Sequence, residues 1–285
     1  MQHRAARAIG PGDAEAGLRL SRLVGWNQNL ADWREMLRHG QGRAIESEEG
    51  LVVATALSLP YGPDCAWVSM VLVDPDWRRR GLATQLMEQV VADVEQTGRT
   101  ALLDATPAGR EVYRQIGFRD TWGFSRWKVP LRAAALPQAG TEVRALREAD
   151  WPAMAKLDLR AFGADRFDLL RHLAGRMPTI ALVSEREGRI CGFALGRDGV
   201  NIPQVGPVVS ERDEDGGALL LAALGRLGTA DAAYVDLLDR HGGLAERLER
   251  LGGARERPFT RMVRGRDRGF DQPGMLVAVA GPELG

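Results

Sequence analysis

Two cysteines and four histidines are all the thiol and imidazole groups in 285 residues. Cys65, Cys191, His3, His39, His172 and His241 share no ligand spacing. A zinc module or a disulfide scaffold is thereby excluded, and no metal is expected. The cysteines lie in strand-like segments of different halves and read as small core residues, so no oxidising compartment is required and a cytoplasmic location is expected. An excess of one charge is missing too: 38 lysines plus arginines face 38 aspartates plus glutamates. Any general attraction to nucleic acid or to an anionic membrane is absent from such a chain. No apolar run is long enough to span a bilayer, and the basic start lacks the apolar core of a secretory leader. What remains is an ordinary globular composition at a length that favours two domains.

The most informative stretch is VLVDPDWRRRGLA, Val71 to Ala83. An apolar run from Trp67 to Val73 reads as a buried strand that breaks at Asp74-Pro75. Arg78-Arg79-Arg80-Gly81 follow, and then a helix whose Leu82, Leu86, Val90 and Val94 recur every four residues. A glycine lets the backbone approach a ligand closely. The first turn of a helix offers free N–H groups and a partial positive charge, and arginines add charge-assisted donors. Together these make an anion site. A basic triplet before a helix, taken alone, reads equally well as a solvated cap. The context decides. Ala101-Leu102-Leu103-Asp104 reads as a short strand, and Thr106-Pro107 opens a helix with a capping hydroxyl and a first-turn proline. That helix carries Tyr113 and runs into Gln115-Ile116-Gly117-Phe118.

The chain also echoes itself over about half its length. Arg7-Ala8-Ile9 with Asp13 recurs as Arg144-Ala145-Leu146 with Asp150, and Ser47-Glu48-Glu49-Gly50 recurs near Ser184-Glu185-Arg186-Glu187-Gly188. A tandem duplication fits better than a short-repeat solenoid. Residues 132–140, RAAALPQAG, read as a linker. The expected domains are therefore residues 1–131 and 141–285, each a mixed sheet with helices on both faces, an α/β fold.

Arg78 to Ala83 fits the pattern Q/R-x-x-G-x-G/A, and Tyr113-x-x-x-Gly117-Phe118 follows at the matching separation. Both resemble signatures of the GCN5-related N-acetyltransferase superfamily, in its tandem bacterial form with a degenerate second copy. The resemblance implies acetyl-CoA as the acyl donor and direct attack by an amine in a ternary complex. It implies that Val71, Leu72 and Val73 pair with the pantetheine arm at a splayed strand, and that Arg78, Arg79, Arg80, Gly81, Leu82, Ala83 and Thr84 form the pyrophosphate site. In the second copy four acids, Glu211, Asp213, Glu214 and Asp215, stand where phosphates would sit, and Leu248 replaces Tyr113. No second acetyl-CoA site is expected there.

An ammonium near pKa 10.4 needs roughly 4–5 kcal/mol to reach its free base at pH 7, so a proton acceptor is required. Asp104 is the first candidate, with capping of the next turn as its other reading. Tyr113 matches the family's donor to the leaving thiolate, or is a core tyrosine. Trp26, Asn27, Asp32 and Trp33, around the loop between the first two helices, and Tyr61 are candidates for the acceptor site. Packing of the helix pair accounts for the tryptophans equally well. Glu35 is a further candidate for binding a cation. A small-molecule amine is the expected partner, with a monomer or dimer left open. A non-catalytic acyl-CoA sensor and a peptide or protein acetyltransferase are the alternatives.

Overall fold

The computed structural model describes residues 5–131, 142–228 and 230–285; the expected linker lies outside them. The first half runs β1 (Arg7–Ala8), α1 (Ala14–Leu23), α2 (Leu30–His39), β2 (Gln41–Glu46), β3 (Val52–Tyr61), β4 (Cys65–Val73), α3 (Leu82–Gln96), β5 (Thr100–Ala105), α4 (Pro107–Gln115) and β6 (Phe118–Pro130). The second half repeats that order: β7 (Glu142–Ala145), α5 (Trp151–Phe162), α6 (Phe167–Arg176), β8 (Leu182–Arg186), β9 (Arg189–Arg197), β10 (Gln204–Ser210), α7 (Asp213–Gly225), β11 (Ala232–Leu238), α8 (Gly242–Arg250) and β12 (Ala254–Arg264). One strand is added at the end, β13 (Leu276–Ala278).

The duplication is visible down to single ion pairs. In the first half Arg7 clamps Asp13, which also accepts from the Gly10 N–H, and reaches across to Glu46. In the second, Arg144 clamps Asp150, which accepts from the Arg147 N–H, and reaches Glu185. Each clamp ties the entry of the first helix to the first two strands of its half. The guanidinium beside them holds the Asp13 and Asp150 carboxyls below the usual carboxylate range.

The halves do not fold side by side as separate sheets. A single 13-stranded sheet has the order β1-β2-β3-β4-β5-β12-β6-β11-β13-β10-β9-β8-β7. The last strands of the two copies are exchanged. Strand β12 pairs with β5 along Val263↔Leu102 to Thr260↔Ala105, and β6 pairs with β11 from Pro130↔Ala232 to Phe124↔Leu238. The continuous sheet carries helices on both faces. Helix α3 buries Leu82, Leu86, Val90 and Val94 against the first half, as their four-residue recurrence requires. On the opposite face α1 and α2 share one apolar cluster with α5 and α6, in which Trp33, Met36 and Leu37 join Trp151, Leu170 and Leu173. Cys65 and Cys191 are free, buried thiols in β4 and β9. Among the described residues no helix is long and apolar enough to cross a membrane.

Candidate active site

Strands β4 and β5 begin as a parallel pair and then part. They are in register from Cys65↔Thr100 to Trp67↔Leu102 and not beyond. The cause sits on β4, where the pairing with β3 slips between Leu57↔Ser69 and Thr55↔Leu72 and Met70 adopts φ 50°. One extra residue in a strand bends it and re-aims its backbone. The Met70 carbonyl is turned back to accept from the Thr55 hydroxyl at 2.9 Å. Strand β5 meanwhile turns its other edge to β12. The β4 backbone from Val68 onward is thus left without a strand on its β5 side. The opening starts three residues before Val71, the first residue that the family resemblance implicated.

A cavity of about 100 Å³ lies in this wedge. Val68, Ser69, Met70 and Val71 line it from β4, Leu103 and Asp104 from β5, and Tyr113 from α4. Trp26 and Gln28 close it from the α1–α2 loop, and Arg126, Arg257 and Phe259 from β6 and β12. Pro282 and Glu283, beyond β13, complete the wall. Two of these groups are unpartnered: Ser69 Oγ and Gln28 Oε1 are buried and have no hydrogen-bond partner. A buried polar atom left unpaired costs about 1–3 kcal/mol, so both atoms call for a hydrogen-bond partner, from water or from a ligand.

At the far end of β4 the chain turns through Pro75–Trp77 into the arginine loop. Arg79 takes φ 62° and Gly81 φ 75°, with Gly81 as the cap of α3. Left-handed residues at alternate positions of a turn point successive N–H groups to one side, as in an anion nest. The first turn of α3 contains no acid. Arg80 stacks over Trp77 at 4.7 Å, and Arg78 is exposed. Leu82 is buried in the core below, so of the expected phosphate-site residues it offers its N–H alone.

Tyr113 packs against Phe118 and Gly109, and burial pushes its phenol up to about 12. The hydroxyl therefore stays protonated at neutral pH. Asp104 has a different fate. Its two oxygens accept from Arg261 Nε and Nη2, both at 2.9 Å, and Arg261 also donates to Asp271 at 3.0 Å. Burial raises the Asp104 carboxyl to about 6, but both its oxygens are occupied by a guanidinium from the other half. Asp104 is a positioning residue for Arg261. It does not cap the following turn either, which Thr106 does by accepting from the Gly109 N–H.

Of the five acceptor-site candidates, Trp26 alone lines the wedge. Trp33 is fully buried, its indole N–H on the Ser21 hydroxyl at 3.0 Å and its ring against Gly17. Asp32 caps α2 through the Asn29 N–H and is held by Arg197 and Arg176. The Asn27 side chain pins residues 201–202 of the β9–β10 loop. Tyr61 turns to a second cavity of about 310 Å³ between the halves and donates to the Leu284 carbonyl at 2.9 Å. Glu35 faces that second cavity, beside His39 and His172. Asp32, Asn27 and Tyr61 are legible as polar in the sequence; their partners in the other half are not. Gln28, Ser69 and Arg257 are not among the residues the sequence singles out. The trace they leave is slight: an amide beside Asn27, one hydroxyl in an apolar strand, and an arginine alternating with Phe259 and Arg261.

The second half shows how a wedge closes. Strands β10 and β11 also run in parallel register only at Gln204↔Tyr234 and Val205↔Val235, and β10 also bulges after Val205. Here β13 enters the gap, pairing with β10 at Val208↔Ala278 and with β11 at Leu237↔Ala278. The chain's own backbone occupies the place left open in the first half. Helix α7 begins with Asp213, Glu214 and Asp215, and no residue from 210 to 215 has a positive φ. The acids are paired internally: Asp215, buried, with Arg186, Glu211 with Arg160 and Arg189, and Asp213 with Arg240. Leu248 is buried on α8 in the position that Tyr113 holds on α4.

Comparison with known proteins agrees with this architecture. A sequence model described as "Acetyltransferase (GNAT) family" matches residues 18–118, and one described as "Acetyltransferase (GNAT) domain" matches residues 154–274. A Bacillus subtilis protein described as an uncharacterised N-acetyltransferase is 22% identical over 237 residues, 82% of each chain. A Pyrococcus horikoshii structure aligns with a TM-score of 0.77 at 19% identity, covering 99% of this chain and 95% of its own. A tandem GNAT protein from the clavulanic acid biosynthesis pathway aligns with a TM-score of 0.67 at 16% identity, covering 92% and 98%.

Proposed function

The chain belongs to the GCN5-related N-acetyltransferase superfamily as a tandem-domain member, and on that premise we propose that its first half transfers an acetyl group from acetyl-CoA to a small-molecule primary amine. One observation carries the proposal: the open wedge between β4 and β5 continues into the nest at Arg79 and Gly81, with Tyr113 on its wall. The residues fit the donor at both ends. Unpaired β4 backbone from Val68 to Val73 suits an amide-bearing arm that adds as a strand does. The N–H groups from Arg79 to Thr84, with the charges of Arg78 to Arg80, suit a pyrophosphate. Acetyl-CoA supplies an activated acyl group on sulfur.

The chain's own residues do the rest. A backbone N–H at the bulge polarises the acyl oxygen. The amine forms the new bond to carbon, the bond to sulfur breaks, and the amine's proton leaves through the open mouth of the cavity to water. Tyr113 donates a hydrogen bond to the departing sulfur. Full proton transfer from a phenol at about 12 to a thiolate near 8.5 is uphill by roughly 5 kcal/mol. Stabilisation in place therefore precedes transfer. The small cavity favours a small acceptor over a peptide.

Tyr113→Phe should lower kcat about 10²-fold with acetyl-CoA affinity unchanged, since the ring and its packing remain. Because burial raises the phenol, the wild-type rate should rise with pH as the amine deprotonates and show no alkaline fall from this group up to about pH 10. The test is a panel of amines, amino acids, aminoglycosides and peptides with acetyl-CoA, followed by free-thiol release. Tight acetyl-CoA binding without turnover of any acceptor would support the sensor reading.

A further inference from the structure

We propose that the acceptor is an amine that also carries a carboxylate, held by Arg257 from the second half. The inference rests on the acetyl-transfer reading of the wedge and adds the class of acceptor. Four charged side chains line the cavity: Asp104, Arg126, Arg257 and Glu283. Three have partners in the protein. Asp104 is clamped by Arg261. Arg126 makes a two-pronged pair with Asp236, at 2.8 and 2.7 Å. Glu283 is bound by Arg197 and by the Gln28 amide, and against its burial the cations of Arg197 and Arg126 hold its carboxyl below the usual range. Arg257 makes no ion pair and no side-chain hydrogen bond among the described residues. It is half-buried, its charge disfavoured by lost hydration and by Arg126 nearby. A guanidinium in that state is a fork-shaped donor with its matching acceptor missing.

Its direction follows from the strand. Arg257, Phe259 and Arg261 alternate on one face of β12, and Phe259 stacks on Phe124 at 5.0 Å. Phe124 and Phe259 belong to the same apolar cluster as Trp26 and Trp33, whereas Tyr113 belongs to the cluster beneath α3 on the opposite face. Arg257 lies 5.6 Å from the centre of the Phe259 ring, and the paired Arg126 lies 5.7 Å from it. Arg257 thus stands on the acceptor face, across the sheet from Tyr113. The unpartnered Gln28 Oε1 and Ser69 Oγ lie in the same cavity. Gln28 is oriented because its amide N–H is engaged by Glu283, which leaves Oε1 for an amine N–H. One end of the acceptor meets Arg257 and the other meets Gln28 and the wedge.

The experiment compares α-amino acids with their decarboxylated amines, in the full chain, by acetyl-CoA-dependent thiol release and by calorimetric titration of the same compounds. Wild type should favour the carboxylate-bearing member of the best pair by about 10- to 100-fold in kcat/KM, chiefly through KM. Arg257→Met should erase that preference, bringing kcat/KM for the carboxylate-bearing member down to that of its decarboxylated amine, while Arg257→Lys restores part of it. Equal use of both members of each pair, or a preference that survives Arg257→Met, would overturn the proposal. Turnover of neutral amines alone would sink this inference while leaving acetyl transfer standing. Absence of acetyl-CoA binding would sink acetyl transfer, and the calorimetry would still report whether Arg257 holds an amino acid.

Discussion

Gly81→Glu should leave the protein folded and lower its affinity for acetyl-CoA at least about 10²-fold. A Cβ added at Gly81 meets no atom within 4 Å, so packing does not resist the change. The cost to the fold comes from φ 75°, which a side chain adopts at about 1–2 kcal/mol, small against a domain stability of about 5–15 kcal/mol. An acid at a helix N-terminus is itself favourable for the helix. The loss therefore falls on the ligand, because the new carboxylate occupies the nest and repels phosphate. Gly81→Ala is the control: it carries the same backbone strain without charge and should weaken binding far less. Equilibrium titration of wild type should give one acetyl-CoA per chain, since β13 fills the second wedge and acids occupy the first turn of α7. Two per chain, or full affinity in Gly81→Glu, would refute the assignment of the nest.

Residues 5–131 produced alone should be unfolded or insoluble. Removing the second half strips β12 from between β5 and β6. Strand β5 then has an open edge, and the first half loses the cover of Phe259, Met262 and Val263, all buried. Each such side chain contributes about 1.5–3 kcal/mol by burial. Asp104 would keep its buried position without Arg261, and breaking one side of a buried pair costs about 3–5 kcal/mol. These losses together match the whole stability of a domain of this size. Arg261→Met isolates the ionic part. It leaves Asp104 and Asp271 without their shared partner and should lower the midpoint of urea unfolding sharply, whereas Asp104→Asn together with Arg261→Met should recover much of the loss. A soluble isolated first half with full activity, or Arg261→Met with wild-type stability, would show that the strand exchange is dispensable.

Local signals in the chain were strong where the physics is local. The four-residue recurrence on α3, the Thr106-Pro107 start of α4 and Gly81 at the α3 cap are each properties of a few neighbouring residues, and they form as their chemistry requires. The repeat was legible for the same reason: Arg7 with Asp13 and Arg144 with Asp150 are six apart, close enough for one turn to join them. The degenerate second loop was also written locally, in the acids from Glu211 to Asp215.

Partners more than a hundred residues apart were decided by tertiary structure alone. Asp104 looked like a base at a strand end, and Arg261, 157 positions away, takes both its oxygens. Asp32, Asn27 and Tyr61 looked available near the acceptor loop, and Arg197, residues 201–202 and Leu284 take them up. The terminal strand β13 takes its place in the β10–β11 gap and closes the second site. A side chain's type and local spacing determine what it is able to bind. Whether it is left to bind a substrate depends on which distant group reaches it first, and in this protein the exchange of β6 and β12 brings the two halves' charges together at a single wedge.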